Sequence, residues 1–222
     1  MSSSHKTKKA HASKLTPGWG LESPLWRRGY ACTAGVDEAG RGALAGPVVA
    51  AAVILPFAEH PFNDSKQLSA VRREALAEEV KEGALAWATG QASAEEVDAL
   101  NVLQATHLAA QRALSTLRRT NILIDALVTD FLKLDFPGPV TAAPKGDAQS
   151  YQIAAASILA KTTRDHLMRL ADLRYPAYGF AKHKGYGSAQ HLSALSEHGL
   201  CPLHRRTFKP VAQRAAQGRL FT

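Results

Sequence analysis

GVDEAGRGALAGPVVAAAVIL occupies residues 35–55, and its two halves pull in opposite directions. Val48 to Leu55 is an apolar run without polar alternation, the pattern of a strand covered on both faces. Ala31 to Asp37 reads as a partner strand, joined to it by a glycine-rich turn. Between them sit two adjacent acids, Asp37 and Glu38. Burying a carboxylate pair costs several kcal/mol unless a cation meets it, so the stretch asks for one.

Moving outward, Ser69 can cap a helix running through Glu82 and stopping at Gly83, and Ala84 to Ala92 is short enough for a third strand. Ser93 with Glu96 forms a capping-box pattern. In the helix that follows, Leu103, His107, Ala110, Leu114 and Leu117 recur at helical spacing and predict its inner face. NILIDAL, 121–127, predicts a short strand whose apolar run Ile122 to Ile124 ends in Asp125; Val140 to Ala143 predicts a last strand. A long helix from about Ser150 to Leu173 is stopped by Tyr175-Pro176. Unevenly alternating strands and helices predict an α/β fold, a mixed sheet with helices on both faces.

The chain has 222 residues and a formal net charge of +8, unevenly spread. Residues 1–28 hold six Lys/Arg and one acid, the segment from His198 five and none, and the middle is slightly acidic. Basic ends suit a polyanion partner, and equally suit solubility. Residues 1–28, rich in Ser, Lys and His without periodicity, are expected to be a flexible basic extension, with order from Gly29. Two cysteines, Cys32 and Cys201, lack metal-ligand or disulfide-framework spacing, and the longest apolar run is too short to span a bilayer. A cytoplasmic, monomeric protein without membrane association is the expectation.

Four acids each border an apolar element: Asp37 and Glu38 after the first strand, Asp125 after ILI, and Asp147 just before the long helix. Strand ends in α/β sheets share a crevice, and such a cluster repels itself without divalent metal. Oxygen ligands with no His or Cys beside them select Mg²⁺ or Mn²⁺. Two such ions roughly 3.5–4 Å apart can activate water and stabilise the leaving oxygen in phosphodiester cleavage.

GVDEAGRGALAGPVVAAAVIL, NDSKQLS, ILID, KGDAQSYQIAAASILAKTTRD and YGFAKHKGY, in this order between about Gly29 and Pro210, together resemble the ribonuclease HII family. The resemblance implies a ribonuclease H-like fold with a helical C-terminal part from about residue 176. It implies metal-dependent hydrolysis of RNA in RNA–DNA hybrids, including nicking 5′ to a single ribonucleotide in duplex DNA, leaving a 3′-hydroxyl and a 5′-phosphate. By motif position Asp37, Glu38, Asp125 and Asp147 match the family's metal-binding carboxylates. Strand alternation puts Asp37 and Glu38 on opposite faces, so the chain must turn at Glu38 for both to help. Gly40, Arg41 and Gly42 look like the family's ribonucleotide-reading loop, and Tyr186 like its tyrosine that packs on the deoxyribose after the ribonucleotide. Lys66, Lys145 and Lys184 are placed for phosphate contacts, and Arg205 and Arg206 extend the duplex surface or brace the C-terminal helices.

The family usually has Gly after the LID aspartate, where Ala126 stands here, and Asp130 and Asp135 offer further charge near the site. Asp165, 18 residues beyond Asp147 and so roughly 27 Å away along a continuous helix, is expected to pair with a basic neighbour instead. The sister ribonuclease HIII carries an extra N-terminal domain, for which about 28 polar residues are too few. The reading from another class is a hybrid-binding module of the same fold with weak catalysis.

Overall fold

In the computed structural model, which describes residues 16–62 and 69–218, five strands form one mixed sheet: β1 (Thr33–Ala39), β2 (Val48–Ile54), β3 (Ala86–Ala92), β4 (Ala126–Asp130) and β5 (Val140–Ala143). Their spatial order is β3-β2-β1-β4-β5. β2 is antiparallel to β1 and to β3, whereas β4 runs parallel to β1 and β5 parallel to β4. Among the described residues eight α-helices accompany the sheet: α1 (Ser23–Trp26), α2 (Ala70–Gly83), α3 (Ala94–Leu100), α4 (Val102–Leu117), α5 (Tyr151–Arg174), α6 (Phe180–His183), α7 (Ala189–His198) and α8 (Lys209–Gly218).

All seven residues of β2 are buried, as its unbroken apolarity requires. Alternation then divides them. Val48, Ala50, Ala52 and Ile54, with Ala34 and Val36 of β1, pack against α4 through Ala105, Ala109, Ala110 and Ala113. Ala51 and Val53 join the opposite layer with Leu76 and Val80 of α2 and Ala154 to Ala156 of α5. The small residues let α5 approach so closely that a Cβ at Gly35 would overlap the Gln152 backbone.

Caps written in the sequence form as expected. Ser69 accepts from Arg72 N at 3.2 Å, Ser93 and Glu96 close their box at 2.9 and 3.1 Å, and Ser150 accepts from Ile153 N at 3.1 Å. Three expectations are corrected. Leu103 is exposed; the inner face of α4 is Ala105, Thr106, Ala109, Ala110, Ala113, Leu114 and Leu117, shifted because alanine lets the helix settle closer on its other seam. Ile122 to Asp125 is not strand, and β4 begins at Ala126. Of the expected 1–28 extension, residues 1–15 lie outside the described residues, and residues 18–28 do not extend freely: Gly18 bonds Gln149 and Tyr151 through the backbone, and Trp19 meets Tyr151 edge-on at 5.3 Å. The apolar surfaces of Trp19, Leu25 and Trp26 outweigh the basic residues around them.

Candidate active site

β1 and β4 run side by side, and their paired register ends with Val36 opposite Thr129. The next residues along are Asp37 and Asp130, so both acids leave the carboxyl ends of neighbouring parallel strands. β5 ends at Ala143, and a tight turn, Gly146–Ala148, swings Asp147 back toward them. Gly146 N donates to Asp130 Oδ1 at 3.0 Å and ties that turn to β4. One carboxylate oxygen from each of Asp37, Asp130 and Asp147 lies within 4.8 Å of the other two.

Asp37 and Asp147 are only 4% and 3% exposed, so the trio is recessed at the sheet's edge. Burial is the main cause that pushes the Asp37 carboxyl well above the usual carboxylate range; the charges of Glu38 and Asp130 push it further, against hydrogen bonds from the Glu38 backbone and Ser157. Three oxygen donors with a strong mutual repulsion suit a hard divalent cation, which would reverse the sign of that field.

The structure does not bring Asp125 to this group. Its carboxylate accepts from Cys32 N at 3.1 and 3.2 Å, at the opposite end of the strands. Five residues separate Cys32 from Asp37, roughly 16 Å at ~3.3 Å per strand residue. The acid that converges is Asp130. The sequence held a signal for it: five residues, Ala126 to Asp130, form a second short β-favouring run ending in an acid. Phe131, immediately after, has φ 60°, the left-handed conformation that glycine adopts most readily. A glycine-like backbone therefore follows Asp130, whereas Ala126 is ordinary strand.

The turn expected at Glu38 is absent. Glu38 lies opposite Ala50 and Ala39 opposite Val49, so Asp37 and Glu38 leave opposite faces. Glu38 meets Arg41 Nη1 at 3.1 Å, and its charge still reaches Asp37 from the trio's border. Asp165 pairs with Lys161 at 2.6 Å and Arg73 at 3.8 Å, as the helix spacing predicted.

The 40–46 turn beside the trio is held rigidly from behind. Gly40 has φ 94°, and a Cβ there would run into the Arg164 guanidinium. Arg164 donates to the carbonyls of Pro47, Lys184 and Ala45 at 2.9, 2.9 and 3.1 Å. Arg205 donates to Gly46 O at 3.0 and 2.9 Å and to Arg41 O at 2.9 Å. Both arginines are fully buried, and burial pushes Arg205 down to about 10. Their place behind the loop was not legible, since an Arg in a basic segment looks like surface. Arg205 is thus a brace, while Arg206 binds Asp98 through its backbone at 2.7 Å.

Gly42 lies open to solvent and Arg41 is exposed on the same turn. Leu44 N donates to Gly185 O at 2.8 Å, joining this turn to the segment that carries Tyr186. Tyr186 is exposed, with the Arg164 and Lys161 cations 5.3 and 5.9 Å from its ring centre. Lys145 is exposed at φ 56°, two residues before Asp147. Lys184 is half-buried, its ammonium turned onto Ala181 O, and burial lowers its pKa. Lys66 lies outside the described residues. Among the described residues no helix is long and apolar enough to cross a membrane.

The chain matches the family model described as ribonuclease HII over residues 34–211. It is 56% identical over 193 residues to a ribonuclease HII of Thermus thermophilus, covering 87% of this chain and 93% of that protein. It is 54% identical over 196 residues to one of Desulfitobacterium hafniense, covering 86% of this chain and 74% of that protein. Its fold is similar to the crystal structure of ribonuclease H2 from Pyrococcus horikoshii, with a TM-score of 0.73 and 25% identity, covering 85% of this chain and 99% of the other.

Proposed function

The chain belongs to the ribonuclease HII family, and we propose that it cuts the RNA strand of RNA–DNA hybrids and nicks duplex DNA 5′ to a single embedded ribonucleotide. Hybrid hydrolysis is the activity of the family; the single-ribonucleotide nick and its 3′-hydroxyl and 5′-phosphate ends are the finer part of the reading. One observation carries it: carboxylates from β1, β4 and the 146–148 turn, distant in the chain, converge within 4.8 Å.

Asp37, Asp130 and Asp147 would hold two Mg²⁺ or Mn²⁺ ions, with Glu38 at the border as a fourth acid. When bound, the ions supply activation of the attacking water and neutralisation of charge on the leaving 3′ oxygen. The protein's part is placement. Buried Asp37 and Asp147 fix the floor of the site on rigid elements, and the Gly40–Gly42 turn offers backbone groups to the ribose 2′-hydroxyl, the atom that separates RNA from DNA. Tyr186, on the adjoining segment, packs on the sugar beyond. Exposed Arg41 and Lys145 take phosphates.

The test is cleavage of a duplex containing one ribonucleotide, with ends mapped, in Mg²⁺ and again in EDTA. Metal-dependent nicking 5′ to the ribonucleotide is expected; tight binding without any nick leaves only a hybrid-binding protein. In the same assay Asp130→Asn should lower cleavage by at least about 10²-fold, the scale on which single charge-stabilising groups act. Asp125→Ala should stay within a few-fold of the parent and instead lose about 1–2 kcal/mol of stability, because Cys32 N loses its acceptor. The reverse pattern would return Asp125 to the site.

A further inference from the structure

Behind Tyr186 lies a pair of buried histidines that the reaction itself does not use. His191 is fully buried and His204 nearly so. His191 Nδ1 is 3.0 Å from Tyr186 O, His191 Nε2 is 3.1 Å from His204 Nε2, and Cys201 N donates to His204 Nδ1 at 3.0 Å.

These contacts admit one consistent set of tautomers. With the Cys201 N–H donating, His204 Nδ1 is a bare acceptor and its proton sits on Nε2. That proton is donated to His191 Nε2, so the His191 proton sits on Nδ1 and is donated to Tyr186 O. The opposite arrangement would let His204 Nδ1 donate to Cys201 O at 3.3 Å. It would also set a bare His191 Nδ1 against the Tyr186 carbonyl, two acceptors face to face with no proton between them. Both imidazoles are neutral in the favoured chain, in keeping with burial pushing His191 down and His204 to about 4. The third histidine, His183, stacks on His191 at 4.5 Å and accepts from Gly185 N at 3.2 Å, holding the residue before Tyr186.

We infer that His191, relayed by His204, is a positioning residue for substrate discrimination: its Nδ1 proton, together with Ser188 N donating at 2.8 Å, fixes the Tyr186 carbonyl, and with it the height of the ring beside the 40–46 turn. This rests on Tyr186 being the group that checks the sugar after the ribonucleotide. Packing alone predicts otherwise, because a phenylalanine at 191 would keep the stack on His183 and the edge contact with Phe180 at 5.5 Å.

The experiment compares kcat/KM on a duplex with one ribonucleotide to kcat/KM on a long RNA–DNA hybrid, and reads their ratio. His191→Phe should lower the ratio roughly fivefold, the factor one net hydrogen bond is worth. His191→Asn, whose amide can place a donor where Nδ1 sits, should keep the parent ratio. His191→Gln, whose amide reaches instead to the Nε2 position, should fall with His191→Phe. In a Tyr186→Ala background His191→Phe should change the ratio no further. If Tyr186→Ala lowers the ratio but His191→Phe does not, or if their effects add, the relay is packing only. If Tyr186→Ala itself leaves the ratio unchanged, the tyrosine's role is what fails. Should His191→Phe not fold, the Asn and Gln variants decide: equal ratios overturn the inference.

Discussion

At the scale of single residues, the site keeps its ionisable groups where folding alone would not put them. Burial and two neighbouring acids hold the Asp37 carboxyl far above its ordinary range. Without metal, that repulsion works against the folded state. Asp37→Asn should therefore raise the melting temperature of the metal-free protein while abolishing cleavage, with hybrid binding retained; a lower melting temperature together with lost binding would make Asp37 a structural group. Phe131 makes a related point. A bulky residue at φ 60° costs about 1–2 kcal/mol, and its ring is largely exposed. Phe131→Gly should leave thermal stability equal or higher despite losing an aromatic ring, and a drop of several degrees would show that the ring is anchored.

At the scale of elements, the acids are set by how strands end. β1 and β4 present Asp37 and Asp130 side by side only because they are parallel and in register. The third acid depends on the turn before α5, and residues 18–22 clamp that turn: Gly18 bonds Gln149 and Tyr151, and buried Glu22 bonds the α5 cap Ser150. Burial raises Glu22 to about 7 from 4.5, against the opposing hydrogen bond from Ser150. An acid protonated more readily folded than unfolded adds stability below about pH 4.5 that is lost as pH rises through 7. Glu22→Gln, which keeps a partner for Ser150, should match the parent near pH 4 and gain up to about 3 kcal/mol on it by pH 8, at ~1.4 kcal/mol per unit. Urea titrations at the two pH values check this, and a gain independent of pH would assign the effect to packing.

For the whole molecule, the buried histidines work in the opposite sense to Glu22. His204 sits near 4 folded against 6.5 unfolded, so the unfolded chain takes up protons first as pH falls. Its stabilisation is complete above pH 6.5 and is lost as pH drops toward 4. Acid unfolding should begin in that window and start where the relay and its two buried arginines join α7 to the 40–46 turn. Amide exchange at Tyr186 and Gly46 rising before exchange in β2 as pH falls is the expected sign. Charge acts at the same scale: the protein carries +8 overall, so the KM for duplex substrates should climb steeply between about 50 and 200 mM salt.

Local patterns were enough for the sheet's buried strand, the serine caps, the long α5 and the DEAGRG turn, because apolar periodicity, a capping hydroxyl or a glycine acts on residues a few positions away. They did not separate Asp125 from Asp130. Both end short β-favouring runs, and the choice between them depends on which four residues pair with β1, a contact made across some ninety positions of chain. Nor could they show Arg164, Arg205, His191 and His204 as the frame behind the substrate-reading turn. Buried polar groups take their meaning from partners, and Arg205 finds its own 159 residues away at Gly46. Chemistry was legible wherever it lay in one stretch of chain; convergence, which makes a set of carboxylates into a site, existed only once distant strand ends met.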